Sequence, residues 1–294
     1  MAKELLLHQP DYHPQVPSFA DEYRDINHQV FSAIYAIVFV PGRQRYITGG
    51  VATQFYIPPE SRRGSNDIDI QDLQRKTWPQ FKTTLDQDYK LATVVNSLEG
   101  YEVGLIRENH SFLLHVCNWF LKEGDDRHWF NVEFSRHGNG YHQKLLPTLE
   151  REFHQTNQFT TSTADILVLD PVDIIARKAV RLNNYQKYEG VKVKNPPRDL
   201  EEHLNQIWKK RAKVNPLRNH VIEENCQECA PKYHLQHTEL RALCDQYDIR
   251  AMLKYDKQID QNYFEDVMKE LSNRGYQRKE IDTVLNLLPE FSLG

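Results

Sequence analysis

Asp67 and Asp69 stand two apart in RRGSNDIDIQ (62–71), interleaved with Ile68 and Ile70. In extended backbone, residues i and i+2 share a face. A strand here therefore puts both carboxylates on one side and both isoleucines on the other, against a core. Two carboxylates held that close repel and raise each other's pKa. A divalent cation that favours hard oxygen ligands, Mg²⁺ above all, removes that cost. A solvated sheet face shows the same alternation, so the spacing alone permits a metal site without requiring one. Two further features join the pair. Upstream, Gly49 and Gly50 allow close backbone approach to a phosphate, and the start of a following helix favours anions. An ordinary strand-to-helix turn also uses glycines. Downstream, Glu133 is the one acid in the alternating segment FNVEFSR, where it suits either a strand facing the pair or a solvent-facing position.

A second group of candidates lies later in the chain. In LVLDPVDIIARKAVRLNN, Ile174, Ile175 and Val180 suit one packed helical face, and Arg177, Lys178 and Arg181 another. A lysine there could meet a triphosphate as a point charge and help pyrophosphate leave, or belong to a solvated helix face. Between Arg177 and Arg218 basic residues outnumber acidic ones, and Tyr185, Tyr188 and Trp208 lie among them as candidates to stack on bases. Such a segment is consistent with polyphosphate or RNA binding, and equally with solvated helices. Cys226, Cys229, His234 and His237 in CQECAPKYHLQH invite a zinc reading, although the two pairs sit closer than in a zinc finger. A polar turn between helices is the competing reading.

The elements that must position these residues follow from pattern. SFADEYRDINHQVFSAIYAIV has helical spacing, and Pro41 and Gly42 end it. QRYITGG reads as a short strand ending in paired glycines, VATQFY as a short helix, IPPESRRGS as a loop and NDIDIQ as a strand. WPQFKTTLDQDYKLATVVNSLEG is helical in pattern. YEVGLIRE, SFLLHVCNWFL, HWFNVEFSRH and FTTSTADILVL are strand candidates. From DPVDIIARKAVRL onward the pattern is helical, with Pro196, Pro197 and Pro216 expected to break it. The expected fold class is α+β, with a mixed sheet and helices over 1–166 and a mainly helical domain over 167–294.

Composition adds bounds. A chain of 294 residues with 39% hydrophobic and 27% charged residues is ordinary for a globular protein, and its net charge of −4 gives no global pull towards nucleic acid or membranes. The longest apolar stretch, VFSAIYAIVFV, falls short of the roughly 18 residues of a membrane span. The N-terminus reads as neither a signal nor a transit peptide. Four cysteines make no disulfide framework, and a cytoplasmic, reducing setting is expected. No P-loop, Rossmann glycine pattern or Ser-His-Asp arrangement is present.

GGVATQFY followed by RRGSNDIDI resembles the nucleotidyltransferase superfamily related to DNA polymerase β, and looks most like its AbiEii/AbiGii-type toxin branch. Arg63, Ser65, Asp67 and Asp69 match the Arg-x-Ser-x-Asp-x-Asp element. Pro58 and Pro59 lengthen the preceding loop, and Val51 stands where threonine is usual. Lys178 matches the branch's lysine, Arg198 and Asp199 its Arg-Asp pair, and Glu202 a second acid. The resemblance, from about Thr48 to Glu202, implies transfer of a nucleoside monophosphate from an NTP to an acceptor hydroxyl. Asp67 and Asp69 would bind two Mg²⁺, with Mn²⁺ as the substitute, and Glu133 would be the third ligand or the base. Gly49, Gly50, Arg63, Ser65, Lys178 and Arg198 would hold the NTP, and Asp199 would orient Lys178 or the acceptor. The resemblance also implies the toxin of a toxin–antitoxin or phage-defence pair, acting on the 3′ end of tRNA or another RNA and countered by a cognate antitoxin. Transfer to a small molecule or protein side chain, and a catalytically silent binding or antitoxin module, remain the alternatives.

Overall fold

Alternation of apolar and polar residues builds the sheet at the heart of the first half. The computed structural model describes residues 45–65, 67–72, 102–110, 114–123, 126–136, 155–160, 165–192, 196–197, 199–256, 259–273 and 275–286. The helical expectations for 18–38 and 78–100 lie outside them. Seven strands form one mixed sheet: β1 (Arg45–Thr48), β2 (Asp67–Asp72), β3 (Glu102–His110), β4 (Leu114–Glu123), β5 (Asp126–Arg136), β6 (Thr156–Thr160) and β7 (Asp165–Leu169), in the order β3-β4-β5-β2-β1-β7-β6. β2 pairs in parallel with β5, and β1 with β7, while the remaining neighbours are antiparallel. The segment FTTSTADILVL was expected as one strand. It instead contributes to two, because β6 and β7 run antiparallel with Phe159 opposite Ile166.

On one face of the central strands Ile47, Ile68, Ile70 and Val168 are fully or almost fully buried. Ile47 stands opposite both Ile70 and Val168, so the apolar side chains form a continuous row across three strands. Burial of such a row stabilises by about 1.5–3 kcal/mol per side chain. The short helix α1 (Gly49–Gln54) follows β1 directly. After it, Phe55 and Tyr56 pack on Phe159 with ring centroids 5.1 and 5.5 Å away, and the Tyr56 hydroxyl donates to the Leu169 carbonyl.

The C-terminal half is helical: α2 (Pro171–Tyr188), α3 (Leu200–Glu223), α4 (Ala230–Tyr255), α5 (Gln261–Asn273) and α6 (Arg278–Leu285). Proline at the first position of α2 has no amide to leave unpaired, and Asp173 in the first turn complements the helix dipole. Beyond its end, Gly190 takes φ +64 and the Val191 amide returns to the Tyr185 carbonyl. Pro216 does not break its helix. It sits inside α3, where packing overrides the local penalty, with Ile207 and Val214 buried on either side of Arg211.

The described residues fall into two compact units, one drawing on 45–56, 64–136 and 155–170, the other on 57–63 and on those from Pro171 onward. The fold class is α+β, a mixed sheet followed by helices. Among the described residues no helix is long and apolar enough to cross a membrane.

Candidate active-site carboxylates and a buried ion cluster

In the first unit, parallel pairing of β2 with β5 sets Asp67 opposite Asn131 and Asp69 opposite Glu133. Partners in register share a face. Asp67, Asp69 and Glu133 therefore gather on one side of the sheet, and the isoleucines of β2 lie on the other. Thr48 is opposite Asp69 across β1, so the strand that ends in Gly49 brings the glycine pair to the same place. Gly49 adopts φ +72, and a Cβ built on it would lie 1.8 Å from Oδ2 of Asp69. No side chain fits there. Glycine is needed twice over, for the left-handed backbone and for the carboxylate against its Cα. Gly50 and Ser65 are buried in the same unit. The Tyr46 hydroxyl donates to Gln71, further along the same sheet face.

In the second unit, Lys178 is buried with 2% exposure. Its Nζ donates to Asp248 at 2.7 Å and to Asp245 at 3.2 Å. Arg63 meets the Asp248 carboxylate through Nε at 2.7 Å and Nη2 at 2.8 Å, a two-pronged pairing. Arg181, one helical turn after Lys178, grips Asp245 through Nε and Nη2. Two cations spaced i, i+3 on α2 thus meet two acids spaced i, i+3 on α4, with Arg63 completing the cluster. Burial pushes the Asp245 carboxyl up, yet Arg181, Lys178 and Arg63 outweigh it and hold it at about 2. Burial likewise works against the Arg63 charge, but Asp248 outweighs it and keeps the guanidinium above the usual arginine value. Among the described residues, three cationic side chains meet two carboxylates in this cluster.

Not every candidate has the surroundings its sequence context suggested. Lys178 does not belong to a solvated helix face. Asp199 is the N-cap of α3, its carboxylate accepting from the Glu202 amide at 3.0 Å, while Glu202 itself is exposed. Arg198 lies outside the described residues. Tyr185 is buried at 6% exposure and cannot stack on a bound base, whereas Tyr188 and Trp208 are exposed. Lys187 lies over the Tyr188 ring at 5.6 Å and Arg211 over Trp208 at 5.2 Å. Sequence reasoning missed Asp245 and Asp248. The available signal was two acids one turn apart in the largely apolar stretch ALCDQYDIRAM, since acids in such company are buried only when paired.

No family model matches the sequence, and no curated protein matches it. Two solved structures overlap it loosely. One is described as a "putative nucleotidyltransferase" from H. pylori, with 10% identity, 80% of this chain and 98% of that chain covered, and a TM-score of 0.33. The other is JHP933 from Helicobacter pylori, with 10% identity, 88% and 100% covered, and a TM-score of 0.34. Similarity at that level carries no argument about this chain.

Proposed function

We propose that the chain is a metal-dependent nucleotidyltransferase that moves a nucleoside monophosphate from an NTP to an acceptor hydroxyl, probing the 3′ end of tRNA as first acceptor. The observation that carries this reading is the register of β2 and β5, which sets Asp69 opposite Glu133 with Asp67 on the same face. Three acids on one face repel unless a cation lies among them, and an all-oxygen donor set suits Mg²⁺. Asp67, Asp69 and Glu133 would hold it. When bound, the metal supplies charge stabilisation at the phosphates and a lowered pKa for the attacking hydroxyl. The chain's own residues do the rest. The Gly49 turn, with no side chain, lets backbone approach a phosphate closely, and the fixed Asp69 carboxylate keeps its orientation without reorganising. The acceptor hydroxyl would give up its proton to solvent or to Glu133 as base, its oxygen would attack the α-phosphorus, the bond to the α–β bridging oxygen would break, and pyrophosphate would leave.

The resemblance also implies an NTP-facing role for Arg63 and Lys178, whose charges are held here by Asp248 and Asp245. The same resemblance supports a role as the toxin of a toxin–antitoxin or phage-defence pair, with a cognate antitoxin as partner. The test is incubation with each labelled NTP, Mg²⁺ and total tRNA, beside Asp67→Ala. Label on RNA that is lost in the variant is the expected result. Label on protein or on a small molecule would redirect the acceptor, and no transfer to any acceptor would overturn the enzyme reading in favour of a silent binding module.

A further inference from the structure

The turn between α3 and α4 brings together side chains that nucleotidyl transfer does not use. His220 lies in the last turn of α3, Glu224 caps that helix, and Cys229 caps the start of α4. Between them Asn225 takes φ 50, the left-handed conformation that asparagine tolerates better than most residues. That reversal brings Cys226 back beside His220. Ligand atoms of His220, Cys226 and Cys229 all lie within 4.8 Å of one another. The histidines expected from sequence are elsewhere: His234 sits 3.5 Å from Glu189, and His237 stacks on Tyr233.

We propose that His220, Cys226 and Cys229 form a zinc site that ties the end of α3 to the start of α4. Thiolate sulfur and imidazole nitrogen are ligands that zinc prefers, at bonds of about 2.3 and 2.0 Å, and two cysteines with one histidine are a known three-ligand set. The three side chains are only half-buried, so modest rotations close them onto one ion. The Glu224 carboxylate lies 3.1 Å from Nδ1 of His220. It fixes the ring and leaves Nε2 for the ion, the arrangement in which metal-bound imidazoles are commonly held. Three protein ligands would leave a fourth position open to solvent. The ion would stiffen the entry to α4, the helix that carries Asp245 and Asp248. This inference stands whether or not the chain transfers nucleotides.

The test is metal analysis of the full-length chain, purified under reducing conditions without chelator, together with Co²⁺ substitution. We expect about one zinc per chain and a thiolate-to-cobalt absorption band. Cys226→Ser and His220→Ala should each cut retained zinc by about tenfold or more, since an outer partner alone is worth 10–100-fold. His234→Ala and His237→Ala should retain it. A reduced wild-type chain that gives no thiolate-to-cobalt band overturns the site, as does zinc content unchanged by Cys226→Ser and His220→Ala. A Cys226–Cys229 disulfide that persists in zinc-supplemented preparations also overturns it. The cobalt spectrum reads the wild-type chain, so the result does not depend on the variants folding.

Discussion

The two charged regions of this molecule are built on opposite rules. On the sheet, acids gather with acids: Asp67, Asp69 and Glu133 share a face through the register of β2 and β5. Among the helices, Asp245 and Asp248 are interleaved with Arg63, Lys178 and Arg181, so each buried acid touches at least two cations. The first arrangement, on the function proposed above, would take a cation among its acids. The second largely satisfies itself and holds its elements together. Removing an acid should therefore cost function in one region and stability in the other.

The sharpest test is Asp69→Ala. It should lower nucleotidyl transfer by about a hundredfold or more, several kcal/mol of transition-state stabilisation. Its unfolding midpoint should fall less than that of Asp248→Ala, whose carboxylate holds two buried cations. An equal loss of stability in the two variants would break the contrast. The mirror experiment is Asp248→Ala, which leaves the Arg63 charge buried without its two-pronged partner. Chemical denaturation should show a loss of about 3–5 kcal/mol.

The next test is pH. Asp245 is held at about 2 in the folded chain, below an unfolded carboxyl of about 3.9. Its contribution is therefore complete above the unfolded value and is lost as pH falls from about 4 towards 2. The size is about 2 kcal/mol. Asp245→Asn should flatten that part of an acid-unfolding curve.

A pair of glycines gives a finer comparison. Gly49→Ala meets Asp69 at 1.8 Å and also bears the left-handed strain, while Gly190→Ala has φ +64 and nothing within 4 Å. Gly190→Ala should cost about 1 kcal/mol in thermal unfolding, the backbone term alone. Gly49→Ala should cost more and displace Asp69, so transfer activity falls with it. Equal effects at the two positions would mean that the Asp69 carboxylate is not held against Gly49. Smallest of all, Asp199→Ala removes the N-cap of α3 and should cost about 1 kcal/mol, read by the same measurement.

These contrasts explain what the sequence disclosed. The acid pair was legible because a strand's period of two makes Asp67 and Asp69 neighbours on one face from spacing alone. Pairing Glu133 with Asp69 needed the neighbour of β2, which alternation within FNVEFSR could suggest but not select. Lys178 was legible as a residue of interest but not in its surroundings, because its partners lie on α4, more than sixty residues away. Asp245 and Asp248 carry no motif. Only burial distinguishes them, and burial is a property of packing. The cysteine pair was visible and its histidine was not, since the left-handed Asn225 that turns Cys226 back to His220 leaves no signature in composition. Pro216 misled for a related reason, as its local preference was outweighed by the packing of α3 through Ile207 and Val214.

The segment 57–63 sits in sequence between α1 and β2, both parts of the sheet unit, yet it belongs to the helical one. Tyr247 donates to the Ser61 carbonyl, Ser61 to Tyr255, and Arg211 to the Arg63 carbonyl at 2.9 Å. A cut between Asp170 and Pro171 would therefore not yield two natural pieces. The upstream piece would carry the Arg63 guanidinium without Asp248, and the downstream piece would keep Asp248 and Tyr247 without the strand of chain they grip. The helical half is completed by residues made long before it, so during synthesis it can close only after α4 has emerged.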